Sequence, residues 1–210
     1  MIRINDKPEK LMQELLEDHK KAIYWFLKGN GGAQKLEVIR RQLWRHSEKV
    51  NEGCHTFATE YKSRNGNTWA VYIGVEYIPS MGRRFFQDIA LSFYMEENDI
   101  YLFCPMVIPG EEPVGLIYTP RFFQTYREVK GLTQQKGALL GMFTRDLRLS
   151  PYHRDADNHV EIHLHSGTAK GTVRSSSPMV LELNEYVSSP SETGIDADAC
   201  DRRLFDNHRL

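Results

Sequence analysis

CHTFATEYKSRNGNTWAVYIGVEYI, residues 54 to 78, is the stretch on which the fold turns. Trp69, Val71, Ile73, Val75 and Tyr77 recur at every second position, the period of a β-strand with one face against a core. Before them lies SRNGN (63 to 67), whose Asn-Gly pair tolerates the positive φ angles of a tight hairpin turn. Residues 54 to 62 therefore form the partner strand, and the two pair antiparallel.

The same period runs on downstream. Residues 84 to 95 read as a third strand, with Phe85, Ile89, Leu91, Phe93 and Met95 on one face, and residues 99 to 108 as a fourth. EEND (96 to 99) links them as a tight turn, PGEEP (109 to 113) breaks the pattern, and a short strand ends at Tyr118. Links this short imply a meander, because parallel neighbours need crossovers of about a dozen residues or more.

Upstream the period is 3.6. Leu11, Met12, Leu15, Leu16, Ala22, Ile23, Phe26 and Leu27 make an apolar stripe over residues 6 to 28, with Asp6 and Glu9 spaced as a capping box. GNGG (29 to 32) ends that helix, and a second, about 33 to 51, carries Leu36, Ile39, Leu43 and Val50. Residues 119 to 148 return to helix: Thr119-Pro120 is an N-cap followed by proline in the first turn, and Gly131 closes the element. Leu139, Leu140, Phe143 and Leu147 form the stripe of the next helix. Strands follow at 158 to 165, 168 to 175 and 179 to 187.

The expected fold is α+β: an N-terminal helical hairpin packed on a mainly antiparallel sheet, then a second helical pair before a C-terminal β-hairpin. Residues 1 to 187 are read as a single domain comprising the helical hairpin 6–51, the β-meander 54–118, the helices 119–148 and the β-hairpin region 158–187. Residues 188 to 210 are read as a tail with a short exposed helix.

Composition narrows the function classes. The 210 residues carry a net charge of -1, so any polyanion surface is a local patch. No apolar run approaches the roughly 18 residues of a membrane span, and the N-terminus lacks the apolar core of a signal peptide. Cys54, Cys104 and Cys200 are far apart with no C-x-x-C pair, which fits a reducing compartment. A cytoplasmic protein with no membrane partner is expected. Cys104 lies in IYLFCPMVI and reads as a buried small hydrophobe. There is no G-x-S-x-G, H-E-x-x-H or P-loop, and DADACD (196 to 201) lacks the glycine and glutamate of an EF-hand. No cofactor is called for.

HVEIHLHSGTAKGTVR, residues 159 to 174, is the chemically richest run. With Ser166-Gly167 as the turn, His165 pairs with Thr168, His163 with Lys170, Glu161 with Thr172, and His159 with Arg174. These eight share a wet face; Val160, Ile162, Leu164, Ala169, Gly171 and Val173 make the apolar back. His163-x-His165 is a spacing for two zinc ligands, but Lys170 and Arg174 beside it oppose a divalent ion. A third ligand would come from elsewhere, such as His55 or His153. The same cations suit phosphate, and a histidine with a glutamate can serve as acid and base without metal. His163, His165, Glu161, Lys170 and Arg174 are thus the candidate catalytic set for RNA or another phosphate-bearing ligand. Alternation on a solvated hairpin also accounts for the pattern.

TPRFFQTYREVK (119 to 130) is the second candidate, with Arg121, Arg127 and Tyr126 able to contact phosphates and stack bases. Phe122, Phe123 and Tyr126 at helical spacing equally describe a core stripe. RNA or anion binding through the polar face of residues 159 to 174, with or without ribonuclease chemistry, is the leading reading, and two others stand beside it. One is a protein-interaction or homo-oligomerisation module using Tyr72, Phe86, Tyr94 and Tyr101; the other is a metal enzyme using the H-x-H strand. The order of two helices and an antiparallel meander resembles that of small toxin-type ribonucleases, over no more than half the chain.

Overall fold

The computed structural model describes residues 1–29, 32–51, 54–78, 82–96, 99–107, 110–132, 136–147 and 152–189. Parts of the GNGG, EEND and PGEEP links, DADACD with Cys200, and the expected tail helix lie outside the described residues, as does the side chain of His55. The elements run α1 (Pro8–Gly29), α2 (Gly32–Val50), β1 (Cys54–Lys62), β2 (Thr68–Ile78), β3 (Arg83–Glu96), β4 (Asp99–Met106), β5 (Val114–Tyr118), α3 (Pro120–Lys130), α4 (Lys136–Asp146), β6 (Tyr152–Arg154), β7 (His159–His163), β8 (Gly167–Ser176) and β9 (Met179–Ser188). The class is α+β, as the two periodicities imply.

The nine strands form one sheet in the order β1-β2-β3-β4-β5-β9-β8-β7-β6. The meander from β1 to β5 and the run from β6 to β9 are each antiparallel throughout. They meet where β5 pairs with β9 in parallel. That junction joins strands separated by α3, α4 and three further strands, so no local signal marks it. Strand β6 is another element the periodicity does not show; three residues are too short to display a period.

Helices cover both faces of the meander. Trp69, Val71, Ile73 and Val75 pack with Leu11, Leu15, Phe26 and Leu43 from α1 and α2. Ala70, Tyr72, Leu91, Leu102 and Leu116 pack on the other side with Phe122, Tyr126, Leu139 and Phe143 from α3 and α4. Strand β2 is therefore buried on both sides, a condition more typical of parallel sheets. Cys104 lies in the α3/α4 core, where burial pushes its thiol up to about 12.

The turn of the opening stretch is anchored by tertiary bonds. Gly66 takes φ 80, and Ser63 closes the loop against Asn67. Buried Asn67 donates to Asp18 at 2.6 Å and Glu14 at 2.9 Å on α1, and accepts from the Ile2 N–H at 2.7 Å. The α3 caps form as expected: Thr119 Oγ1 accepts from the Phe122 N–H, and Gly131 at φ 63 donates to the Arg127 carbonyl. Asp6 behaves otherwise. Helix α1 begins at Pro8, with its first bond from Leu11 N–H to the Lys7 carbonyl, too late for an Asp6 capping box. The Asp6 carboxylate instead accepts from the Arg3 N–H at 2.8 Å and from Lys10 at 2.6 Å.

Candidate functional site

The β7–β8 hairpin forms with its turn one residue earlier than Ser166-Gly167. Leu164 N–H donates to the Gly167 carbonyl at 2.8 Å, so His165 and Ser166 occupy the tip. The register shifts by two: His159 faces Thr172, Glu161 faces Lys170, and His163 faces Thr168. Contacts from α4 set this choice, since the Asp146 carbonyl accepts the His165 N–H at 2.7 Å and its carboxylate accepts the Ser166 hydroxyl at 2.7 Å. Gly167 is glycine for a different reason from turn chemistry. A Cβ there would lie 2.3 Å from the Val187 carbonyl oxygen and 2.7 Å from the Tyr186 ring.

A shift of two preserves which residues share a face. Val160, Ile162, Leu164 and Ala169 are buried in the α3/α4 core. The polar face lies on the α1 side, as alternation from buried Val180 to Glu182 and across to Thr172 requires. There His153, His159 and His163 are exposed and Glu161 and Lys170 are half-buried.

The new register also changes the chemistry. Glu161 accepts from Lys170 at 2.8 Å. That hydrogen bond, then the Lys170 charge, hold Glu161 below the usual carboxylate range; His153 and His163 lower it further against slight desolvation. The same pairing raises Lys170 above the usual lysine value. Strand β6 sets His153 opposite Glu161, and β9 sets Glu185 opposite Lys170. One row across four strands thus reads His153, Glu161, Lys170, Glu185. His163 sits one row along, near Thr168 Oγ1 at 3.5 Å.

Besides His163, two residues of the expected catalytic set lie off this row. His165 is at the turn tip beyond the end of β7. Arg174 falls in a β8–β9 irregularity, where it contacts Glu182 at 3.7 Å and donates to the Asp6 carbonyl at 3.2 Å. His153 is the member that sequence reading used only as a distant ligand. The turn residues of DADN (155 to 158) before β7 were the available signal, since a turn there pairs 152–154 with 160–162.

Beneath the tip lies a polar network that the sequence reading missed. Asp146 Oδ2 accepts from Tyr126 at 2.5 Å and from Ser166 at 2.7 Å, with Lys130 at 3.6 Å. Lys130 also donates to Ser166 Oγ, and the Tyr186 hydroxyl donates to the Ser166 carbonyl at 2.8 Å. Five side chains from α3, α4, the turn and β9 converge here. The network fixes the tip of the hairpin that carries the row.

The second candidate set separates. Tyr126 is 0% exposed and stacks inside the aromatic cluster with Phe122, so its ring offers no face to a base. Arg121 is exposed and Arg127 half-buried on the same helix. Of the aromatic residues expected to leave surface for a partner, Tyr72 and Tyr94 are buried and Tyr101 is stacked on Tyr94, whereas Phe86 is 46% exposed. Among the described residues the His/Cys/Asp/Glu side chains gathered closely enough for an ion are Asp155, Asp157 and His159, not the H-x-H pair. Asp155 Oδ1 there accepts from the N–H groups of Asp157 and His159, each at 2.9 Å, and Oδ2 lies 3.1 Å from His159 Nδ1. The hydrogen bonds of the β6–β7 turn account for that grouping.

Fold and site define an α+β protein whose mainly antiparallel sheet presents an open histidine–glutamate–lysine row. No family model, curated protein or solved structure matches the chain. No described helix is long and apolar enough to cross a membrane.

Proposed function

We propose that this protein cleaves RNA by metal-independent acid–base chemistry on the open face of β6–β8. The observation that carries the reading is Glu161, ionised and fixed by Lys170 at 2.8 Å, with His153 opposite it on β6 and His163 two residues along β7. Glu161 takes the proton from a ribose 2′-hydroxyl, whose oxygen attacks the adjacent phosphorus. The bond from phosphorus to the 5′-oxygen breaks, and His163 supplies that oxygen with its proton. The products are a 2′,3′-cyclic phosphate and a 5′-hydroxyl. Lys170 balances charge on the phosphorane. Imidazole exchanges protons near neutral pH, which suits it to the acid role.

The test is cleavage of a single-stranded RNA in the presence of chelator, with the cyclic phosphate detected by mass spectrometry. Glu161→Gln and His163→Ala, with unchanged melting curves, are expected to lose about 100-fold or more in rate. Wild-type protein that leaves RNA intact, or variants that cleave as fast as wild type, would overturn the reading.

A further inference from the structure

The open face of β6–β9 is not basic: Glu161, Glu182 and Glu185 stand there against Lys170 and Arg174. Such a face does not gather a polyanion by charge, and the whole chain, at -1, does not help. A different surface has the missing character. Helix α2 carries Arg40, Arg41, Arg45 and Lys49 against Glu37 and Glu48, and β3 begins with Arg83 and Arg84.

Arg40 and Arg84 flank a ring left in solvent. Phe86 is 46% exposed, although its partner across β2 is Val75, 1% exposed. The Arg40 guanidinium lies 5.4 Å over the Phe86 ring, and Trp44 packs against it at 5.3 Å. Beside it Arg84 lies 4.5 Å over Tyr77. Arg84 is fixed by the end of α2, donating to Ser47 Oγ at 3.1 Å and to Asn51 at 3.0 Å. Arg45 and Lys49 are exposed one turn apart on the adjoining stripe of the helix. A half-exposed aromatic ring, already ordered by its neighbours and bordered by arginines, is the arrangement that stacks an unpaired base and holds its phosphates.

We infer that the α2–β3 surface binds single-stranded nucleic acid through Phe86, with Arg40, Arg45 and Arg84 on the backbone. A duplex keeps its bases stacked on each other and cannot use the ring. The surface lies on the same side of the sheet as the acid–base row, five strand spacings across and about eight residues along the strands from it, roughly 35 Å in all. The inference stands without that row. It gives the acid–base face a way to retain a strand that its own charges do not hold.

The experiment measures fluorescence anisotropy of a labelled oligodeoxythymidylate of about twenty nucleotides. This probe has no 2′-hydroxyl to be cleaved, so binding and cleavage fail separately. With about three phosphates neutralised, affinity should fall about 20-fold between roughly 50 and 200 mM salt. Phe86→Ala should weaken binding about tenfold, and Phe86→Leu, which keeps apolar volume without a ring, should weaken it similarly. Arg45→Gln should lower the salt dependence to about 7-fold. A duplex of equal length should bind at least tenfold more weakly. The inference fails if wild type does not bind at low salt, if Phe86→Leu binds as wild type does, or if duplex binds equally. It also fails if polyglutamate or anionic vesicles compete as well as the oligonucleotide, since bare charge would then suffice.

Discussion

Asp146→Ala removes the acceptor at the centre of the network under the β7–β8 turn. Its Oδ2 takes the Tyr126 hydroxyl at 2.5 Å and the Ser166 hydroxyl at 2.7 Å. Each bond to a charged acceptor is worth roughly 1.5–3 kcal/mol. Lys130, at 3.6 Å with 22% of its side chain exposed, adds less than about 1 kcal/mol. Opposing these is the desolvation of a carboxylate only 8% exposed, which offsets several kcal/mol. The net loss is expected at about 2–3 kcal/mol, or a fall in Tm of about 4–12 °C for a chain this long. Asp146→Asn keeps an acceptor oxygen and should lose less. Tyr126→Phe alone should cost about 1.5–3 kcal/mol, and the double variant should fall short of the sum by about 1.5 kcal/mol or more. Urea denaturation followed by circular dichroism gives all four corners, provided the slope is unchanged. A loss below about 1 kcal/mol for Asp146→Ala, or additive singles, would refute the claim that this carboxylate organises the turn.

Gly171→Ala would place a Cβ 1.9 Å from the Glu182 carbonyl oxygen and 2.8 Å from Leu183 Cα, backbone atoms that cannot step aside; a loss of about 2 kcal/mol or more is expected by urea denaturation, and a neutral variant would contradict the β8–β9 pairing. Half-buried His19, against Trp69, has its pKa lowered by desolvation and then by Lys20. Its contribution is full above the unfolded value of about 6.5 and is lost as pH falls through the lower folded value. His19→Gln should therefore flatten the acid side of the stability–pH curve, and an unchanged curve would sink this. Lys170→Gln should scarcely move Tm, because the ion pair is about two-fifths exposed on each side. NMR titration should nevertheless show Glu161 rising toward the ordinary carboxylate value. An unmoved Glu161 would mean that the pair is not formed.

Period and turn chemistry made the strands legible, and long-range contacts hid the rest. The alternation of Trp69, Val71, Ile73 and Val75 marks β2, but Ala70 and Tyr72 on its other face are buried too. That second burial depends on α3 and α4, which the strand's own residues do not announce. In the hairpin, Gly167 looks like a turn residue from its neighbours in sequence; it is the approach of β9 that forbids a side chain there. The misplaced turn put Arg174 opposite His159 and separated Glu161 from Lys170, although the shared face came out right because the error was an even number of residues. The Asp146 network joins residues 126, 130, 146, 166 and 186, whose convergence no spacing along the chain can reveal. Tyr126 shows the opposite case: arginines beside aromatics on α3 suggested stacking, while its helical spacing described the core it occupies.

The corrected register also bears on how the proposed reaction would gain from its charges. In the resting face Lys170 is neutralised by Glu161, so it has little pull on an approaching phosphate. When Glu161 takes the 2′-hydroxyl proton, its charge disappears and Lys170 is left without that counterion. Negative charge is then accumulating on the phosphorane. The cation thus becomes available as the transition state forms, and catalysis depends on interactions stronger there than in the ground state. In the register expected from sequence, Lys170 faced His163 and had no such coupling to the base. The arrangement that weakens ground-state attraction for RNA is therefore the one that ties proton transfer to charge stabilisation. It also explains why a strand would need to be held elsewhere, on a surface that does not depend on the carboxylate proposed as the base.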